Sequence, residues 1–325
     1  MSNSVPACRC CGSANTAIRG RKSGNFIRRE FEFRQCGDCG FMSVEPFSGF
    51  GIYDDAYYRG KGPDPFVDYE AEYRDWEQSD RRYEFADLAG IAERFLSPEK
   101  SAPGQSGSSV RTPVEWLDFG CGAGGFLKFL RKRERLAGRP LALSGHDVGS
   151  YATLLKSTDG FRILDLDAVA AEPTGRYDVI SMIEVIEHLP SPLEPMQLIA
   201  RLLKPGGLLL LTTGNLDSTV ARRDGLNFRY CVPEIHVSLF NPRCLSALYR
   251  RVGLAPHAVR YQGALRFKIL KNLRYRPAAR AIAQAALVVP GVRQTADALY
   301  GVSAMPCAVK PAARTAEPSA LTSAA

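Results

Sequence analysis

No stretch of this chain comes near the roughly 20 consecutive apolar residues that a helical membrane span requires. The nearest, 281–290, is too short. The N-terminus has no apolar signal-peptide core, so a cytoplasmic protein is expected. Basic residues interleaved with stacking aromatics, the pattern of an RNA-binding module, are also missing. The net charge of +8 therefore has two readings. One is an anionic partner, either nucleic acid or a phosphorylated or nucleotide-linked small molecule; the other is a solvated basic face. Much of the excess sits in 201–280, in pairs such as Arg222-Arg223 and Arg250-Arg251. Histidine is scarce: His146, His188, His236 and His257 are the four available for imidazole chemistry. At 325 residues and 45% apolar, there is room for one sizeable domain plus additions.

Cysteine is better represented, and its spacing is informative. Cys8-x-x-Cys11-Gly and Cys36-x-x-Cys39-Gly are two knuckles separated by 24 residues. Each pair can place two thiolates on one tetrahedral ion, and the glycine permits the tight turn, so structural zinc on Cys8, Cys11, Cys36 and Cys39 is expected. Disulfides are the alternative; a cytoplasmic chain argues against them. Cys10 reads as a bystander inside the first knuckle.

The most informative stretch is Val114-Glu115-Trp116-Leu117-Asp118-Phe119-Gly120-Cys121-Gly122-Ala123-Gly124-Gly125-Phe126. An apolar run, glycines and a helical restart give strand, turn and helix, which brings backbone N–H groups up to a nucleotide-like ligand. Gly120, Gly122 and Gly125 also fit the dinucleotide pattern G-x-G-x-x-G. Asp118 separates the readings. An acid would repel a pyrophosphate, whereas S-adenosylmethionine brings an ammonium and a sulfonium that a carboxylate favours. Leu141 to Asp147 reads as the second strand, and Asp147 falls where an acid can grip a ribose diol.

Strand and helix alternate onward, which implies a parallel sheet with crossover helices. Short strands are expected at 161–164, 176–183 and 208–213, then near 254–261 and 302–309. Upstream, Tyr53, Tyr57, Tyr58, Tyr69 and Tyr73 suit core or lid packing, with a substrate entrance as the alternative.

Several motifs occur in one order: the CxxCG pair, the tyrosine-rich segment, DFGCGAGG, EVIEHLPSP, LKPGG and EIHVSLFNPRCL. Together, over roughly residues 8–262, they resemble bacterial class I S-adenosylmethionine-dependent methyltransferases with an N-terminal zinc ribbon, of natural-product and surface-sugar pathways. The resemblance implies an α/β, Rossmann-like, seven-stranded sheet beside a four-cysteine zinc ribbon. It divides the chain into a ribbon (1–45), a helical lid or linker (46–113), the methyltransferase domain (114–310, with an insertion at 265–300) and a disordered tail (311–325). Cofactor contacts are expected from Asp118, Gly120, Gly122, Gly124 and Asp147. By resemblance, Asp165 would meet the adenine amino group and Ile183 would lie against the cofactor. The run Glu184-Val185-Ile186-Glu187-His188-Leu189 resembles the ubiquinone-pathway O-methyltransferases. There, positions matching Glu184, Glu187 and His188 are assigned to a divalent metal; on one helix those residues would share a face. Sugar C-methyltransferases with this ribbon place a catalytic histidine in a Tyr…Glu-His stretch. This chain departs from it, with Tyr230…Glu234-Ile235-His236.

Methyl transfer from a sulfonium is an in-line displacement that leaves the protein one proton to manage. His236, then His188, are the expected bases, acting on a small-molecule acceptor by O- or C-methylation. An RNA base methyltransferase is the alternative. The absence of an Asn-Pro-Pro-Tyr-like motif after the 176–183 strand argues against it.

Overall fold

The computed structural model describes residues 6–62, 68–97, 112–257, 269–270, 273, 275–289, 291–292, 303–304 and 307–311. Two sheets organise it. Strands β1 (Thr16–Ser23), β2 (Glu30–Cys36) and β3 (Met42–Glu45) form an antiparallel N-terminal unit. Helices α1 (Asp55–Tyr58), α2 (Tyr69–Arg74) and α3 (Arg82–Leu96) follow. The larger sheet then begins with β4 (Val114–Phe119), whose glycine turn opens α4 (Gly125–Arg133). The short hairpin of β5 (Arg135–Leu136) and β6 (Arg139–His146) stops that helix earlier than its sequence suggests.

Next come α5 (Ser150–Ser157), β7 (Arg162–Leu164), α6 (Leu166–Ala171), β8 (Tyr177–Ile183), α7 (Leu193–Leu202), β9 (Leu203–Gly214) and α8 (Thr219–Asp224). β10 (Ser238–Leu239), α9 (Pro242–Arg251), β11 (Ala255–His257), α10 (Pro277–Ala286), β12 (Ser303–Ala304) and β13 (Cys307–Val309) complete the described elements. Asn241 caps α9 in a capping box with Cys244, worth about 1 kcal/mol.

The large sheet runs β11-β13-β9-β8-β4-β6-β5, with β7 on β6 and β12 on β9. β4 pairs in parallel with both β6 and β8, and β13 runs antiparallel to β9. Among the described residues the sheet is therefore mixed and nine-stranded, where seven strands were expected. The extra strands are the short β5 and β12, which carry no hydrophobic alternation of their own. β8 and β9 are buried nearly throughout, as strands covered on both faces must be. α3 covers one face: Phe85 stacks on Phe126 at 5.3 Å within a cluster that includes Trp116 and Val179.

Ligands of such sheets gather where the strand order reverses, here beyond the carboxyl ends of β4 and β8. No helix among the described residues is long and apolar enough to cross a membrane. Most of the connection expected at 97–113 and of the tail lies outside the described residues, as does part of the 265–300 insertion, of which α10 is the main described element.

Candidate active site

The glycine turn after β4 is tied to its neighbour: Gly120 and Cys121 donate backbone N–H bonds of 2.7 and 2.9 Å to the His146 carbonyl. Gly120 has φ +81°, and a Cβ there would stand 2.3 Å from Val185 Cγ2. Only glycine fits. The Asp147 carboxylate receives the Gly122 N–H at 2.8 Å and the Gly149 N–H at 2.7 Å, so it joins the glycine turn to the turn before α5. Gly124 caps α4 without a side-chain hydrogen bond. Tyr58 and Tyr69 lie 5.3 Å apart, and the Tyr69 ring comes 3.3 Å from where a Gly122 Cβ would be. The tyrosines thus lie over the glycine turn.

Asp118 is only 2% exposed. Trp116 Nε1 donates to Ser181 Oγ at 2.9 Å, and that hydroxyl donates to Asp118 Oδ1 at 2.6 Å. Burial is the main cause that pushes the Asp118 carboxyl up to about 7; the Ser181 bond opposes the shift and the Asp147 charge adds to it. A cation in this pocket would draw Asp118 toward its ionised form. The Asp118 end of the cradle therefore suits a cationic ligand. Ile183 is buried at the end of β8, the strand paired with β4. Asp165 is exposed, and its carboxylate caps α6 by accepting the Ala168 N–H at 2.8 Å.

A second cluster lies beyond β8 and β9. The stretch read as one helix is broken: Glu184 adopts φ +54°, and a single 3-10 turn covers Ile186–His188. This corrects the shared helix face expected for Glu184, Glu187 and His188. Among the described residues, Glu187, His188 and His236 instead bring one donor atom each to within 4.8 Å of one another. Three such donors are close enough to share a cation.

Glu187 is fully buried, accepting from Tyr230 Oη on one oxygen and from Thr213 Oγ1 at 2.8 Å on the other. Desolvation first, then the neighbouring Glu184 charge, push its carboxyl up to about 8. His236 Nδ1–H donates to the Tyr230 carbonyl at 2.6 Å, and His188 Nδ1–H to the Ile235 carbonyl at 3.0 Å. Both bonds leave Nε2 as the basic nitrogen. The two imidazole rings lie 4.9 Å apart, and Tyr53 Oη reaches His188 Nδ1 at 2.9 Å.

The structure thus brings both candidate histidines together. His146 instead packs on Phe119, bonded to the Leu164 carbonyl, and His257 lies on β11 against Phe95. Ser181, Thr213, Tyr53 and Tyr230 escaped the sequence reading as members of these networks. Only Tyr230 carried a signal, its place in the Tyr…Glu…His stretch.

The cysteines also gather. Cys8 and Cys39 sulfurs are 3.6 Å apart, Cys11 and Cys36 sulfurs 3.7 Å. A tetrahedral zinc with Zn–S near 2.3 Å needs sulfurs roughly 3.8 Å apart, so the four fit such an ion. Cys10 is buried and donates to the Cys244 carbonyl at 3.1 Å, which pins the module to α9.

The parallel core with its antiparallel β13, and the glycine cradle at its switch point, have the form of a class I methyltransferase fold. A family model described as a methyltransferase domain matches residues 76–259, more than half of the chain, and the chain belongs to that family. It is an S-adenosylmethionine-dependent methyltransferase. A ubiquinone biosynthesis O-methyltransferase of Pseudomonas paraeruginosa is 32% identical over 144 residues, 42% of this chain and 57% of that protein. Its namesake in Nitrosospira multiformis is 36% identical over 152 residues, 42% of this chain and 61% of that protein. The chain thus aligns with about 60% of the length of these two relatives. The crystal structure of a Burkholderia thailandensis 1,6-didemethyltoxoflavin-N1-methyltransferase aligns over 89% of this chain and 100% of that one, at 13% identity and a TM-score of 0.44.

Proposed function

We propose that this enzyme methylates an oxygen or acidic carbon of a small molecule, with His236 as the base and His188 beside it. The observation that carries the reading is the imidazole pair at the ends of β8 and β9, with each Nδ1–H bonded to a backbone carbonyl. That bonding holds each ring in the tautomer whose Nε2 can take a proton. S-adenosylmethionine, when bound, supplies the activated methyl group. Asp118 would face its cationic end and Asp147 its ribose hydroxyls. Gly120, Gly122 and Gly124 would let the backbone approach it, with Ile183 along one side and Asp165 toward the adenine.

In this reading the chain's own work is alignment and proton transfer. His236 Nε2 accepts the acceptor's proton, and the nearby Glu187 carboxyl favours the imidazolium when it is ionised. The tyrosines over the glycine turn exclude water. Cys8, Cys11, Cys36 and Cys39 hold a structural zinc, which takes no part in the chemistry. A small-molecule acceptor is supported by the similarity to O-methyltransferases over part of their length.

A second reading uses the same donors for a divalent ion. Glu184 Oε1, beside Glu187, is buried and has no hydrogen-bond partner among the described residues, and a cation would satisfy it. The test is incubation of methyl-labelled S-adenosylmethionine with the protein and a cell extract, counting small-molecule, carbohydrate, protein and RNA fractions. Label in the small-molecule or carbohydrate fraction supports the proposal; label in RNA overturns it in favour of base methylation.

A further inference from the structure

Glu234 lies two residues before His236 and is completely buried. Burying a carboxyl group is costly unless hydrogen bonds compensate. Its partners come from the N-terminal unit, over 200 residues away in sequence. Phe26 and Ile27, at the tip of the β1–β2 hairpin, donate backbone N–H bonds of 2.7 and 3.2 Å to Glu234 Oε1. The hairpin tip comes so close that a Cβ on Gly24 would stand 2.6 Å from the same oxygen.

Other ties run in the same direction. Lys22 Nζ donates to the Cys231 carbonyl at 2.7 Å, and Val44 N–H to the Val237 carbonyl at 2.9 Å. β10 adds to the edge of β3, with Ser238 opposite Ser43 and Leu239 opposite Met42. Phe31, Phe33 and Val44 of the N-terminal unit share one apolar cluster with Phe228, Cys231 and Leu239.

The opposite side of this loop serves the histidines. The Ile235 carbonyl accepts from His188, the Tyr230 carbonyl accepts from His236, and Val237 N–H donates to the Glu187 carbonyl. Loop 230–237 is therefore held between the four-cysteine unit and the imidazole pair. Filling space would need only an apolar side chain at 234. An acceptor oxygen for two N–H groups fixes direction as well, and among the described residues only Glu234 Oε1, not Oε2, has hydrogen-bond partners.

We propose that Glu234 is a positioning residue. Through it the N-terminal unit holds the loop that orients His236, so the cysteine module is part of the acceptor side of the enzyme. The inference rests on the placement of His236 in the acceptor site proposed above.

The test needs no acceptor and no turnover. Full-length protein with 15N-labelled histidine is compared with Glu234→Ala and Glu234→Gln, following the ring nitrogens by NMR and S-adenosylhomocysteine binding by calorimetry. In the wild type His236 is expected as the Nδ1–H tautomer. Glu234→Ala should move it toward a mixture, while His146, held separately by the Leu164 carbonyl, stays unchanged and cofactor-product affinity shifts less than about twofold. Glu234→Gln keeps an acceptor oxygen and should restore the wild-type signature. If Glu234→Ala does not fold, Gly24→Ala displaces the same hairpin tip, its Cβ meeting the Ile27 carbonyl at 2.3 Å as well as Glu234 Oε1 at 2.6 Å, and is read identically. An unchanged His236 overturns the proposal, as does a change shared equally by His146 and the affinity. A missing small-molecule acceptor would sink the proposed function yet leave this result readable.

Discussion

His188 and His236 stand with their rings 4.9 Å apart, although one follows β8 and the other lies in the loop before β10. Each is bonded through Nδ1 to a carbonyl of that same loop. If His236 is the base, His236→Ala should cut methyl transfer by roughly 10²–10⁴ fold. His188→Ala, which removes only a neighbour, should cost less. Labelled-methyl incorporation checks both, and a larger loss at His188 would reverse the roles.

Asp118 is held by the Trp116–Ser181 chain in a site that favours its neutral form. A cationic ligand prefers the ionised carboxylate, so affinity for S-adenosylmethionine should rise as pH rises through about 7. Asp118→Asn should weaken binding by about tenfold, or about 1.4 kcal/mol, and flatten that dependence. Calorimetry between pH 6 and pH 8.5 decides; an equal pH slope in the variant would assign it to another group.

Glu187 has its carboxyl raised from 4.5 to about 8 in the folded chain. Between those values the native state binds more protons than the unfolded one, so this group's contribution to stability falls as pH rises through the window. Glu187→Gln should therefore show a melting temperature that declines less between pH 5 and pH 8. A steeper decline would contradict the assignment.

The divalent-ion reading of the same cluster has its own discriminator. Chelation mild enough to leave the four-cysteine zinc in place, checked by elemental analysis, should leave activity intact if the histidines act as base and neighbour. Activity lost to chelation and restored by manganese or magnesium would favour a bound cation on Glu187, His188 and His236. The four cysteines should retain one zinc per chain by elemental analysis, and Cys36→Ser should lose it together with several degrees of melting temperature.

The glycine turn after β4 was legible in the sequence because its constraints are local. Glycines directly after an apolar run leave few alternatives, and Gly122 does meet Asp147 there, with Asp118 near enough to feel the Asp147 charge. The histidine cluster was only half legible. Glu184, Glu187 and His188 have helical spacing, but spacing alone cannot reveal the left-handed Glu184 that breaks the helix. Tyr53 meets His188 across 135 positions, and β10 meets β3 across nearly 200. Neither partner carries a local pattern that announces the pairing. Ser181 reads as one polar residue in a buried strand; its role appears only once β4 and β8 lie side by side.

The most direct measurement of the central claim is the pH–rate profile of methyl transfer to the labelled small-molecule fraction, for wild type and His236→Ala. The expected result, at saturating S-adenosylmethionine, is a wild-type rate that rises with pH, as a base that must be neutral requires, with that rise absent from the residual rate of the variant. A variant with wild-type rate and an unchanged profile would contradict His236 as the base.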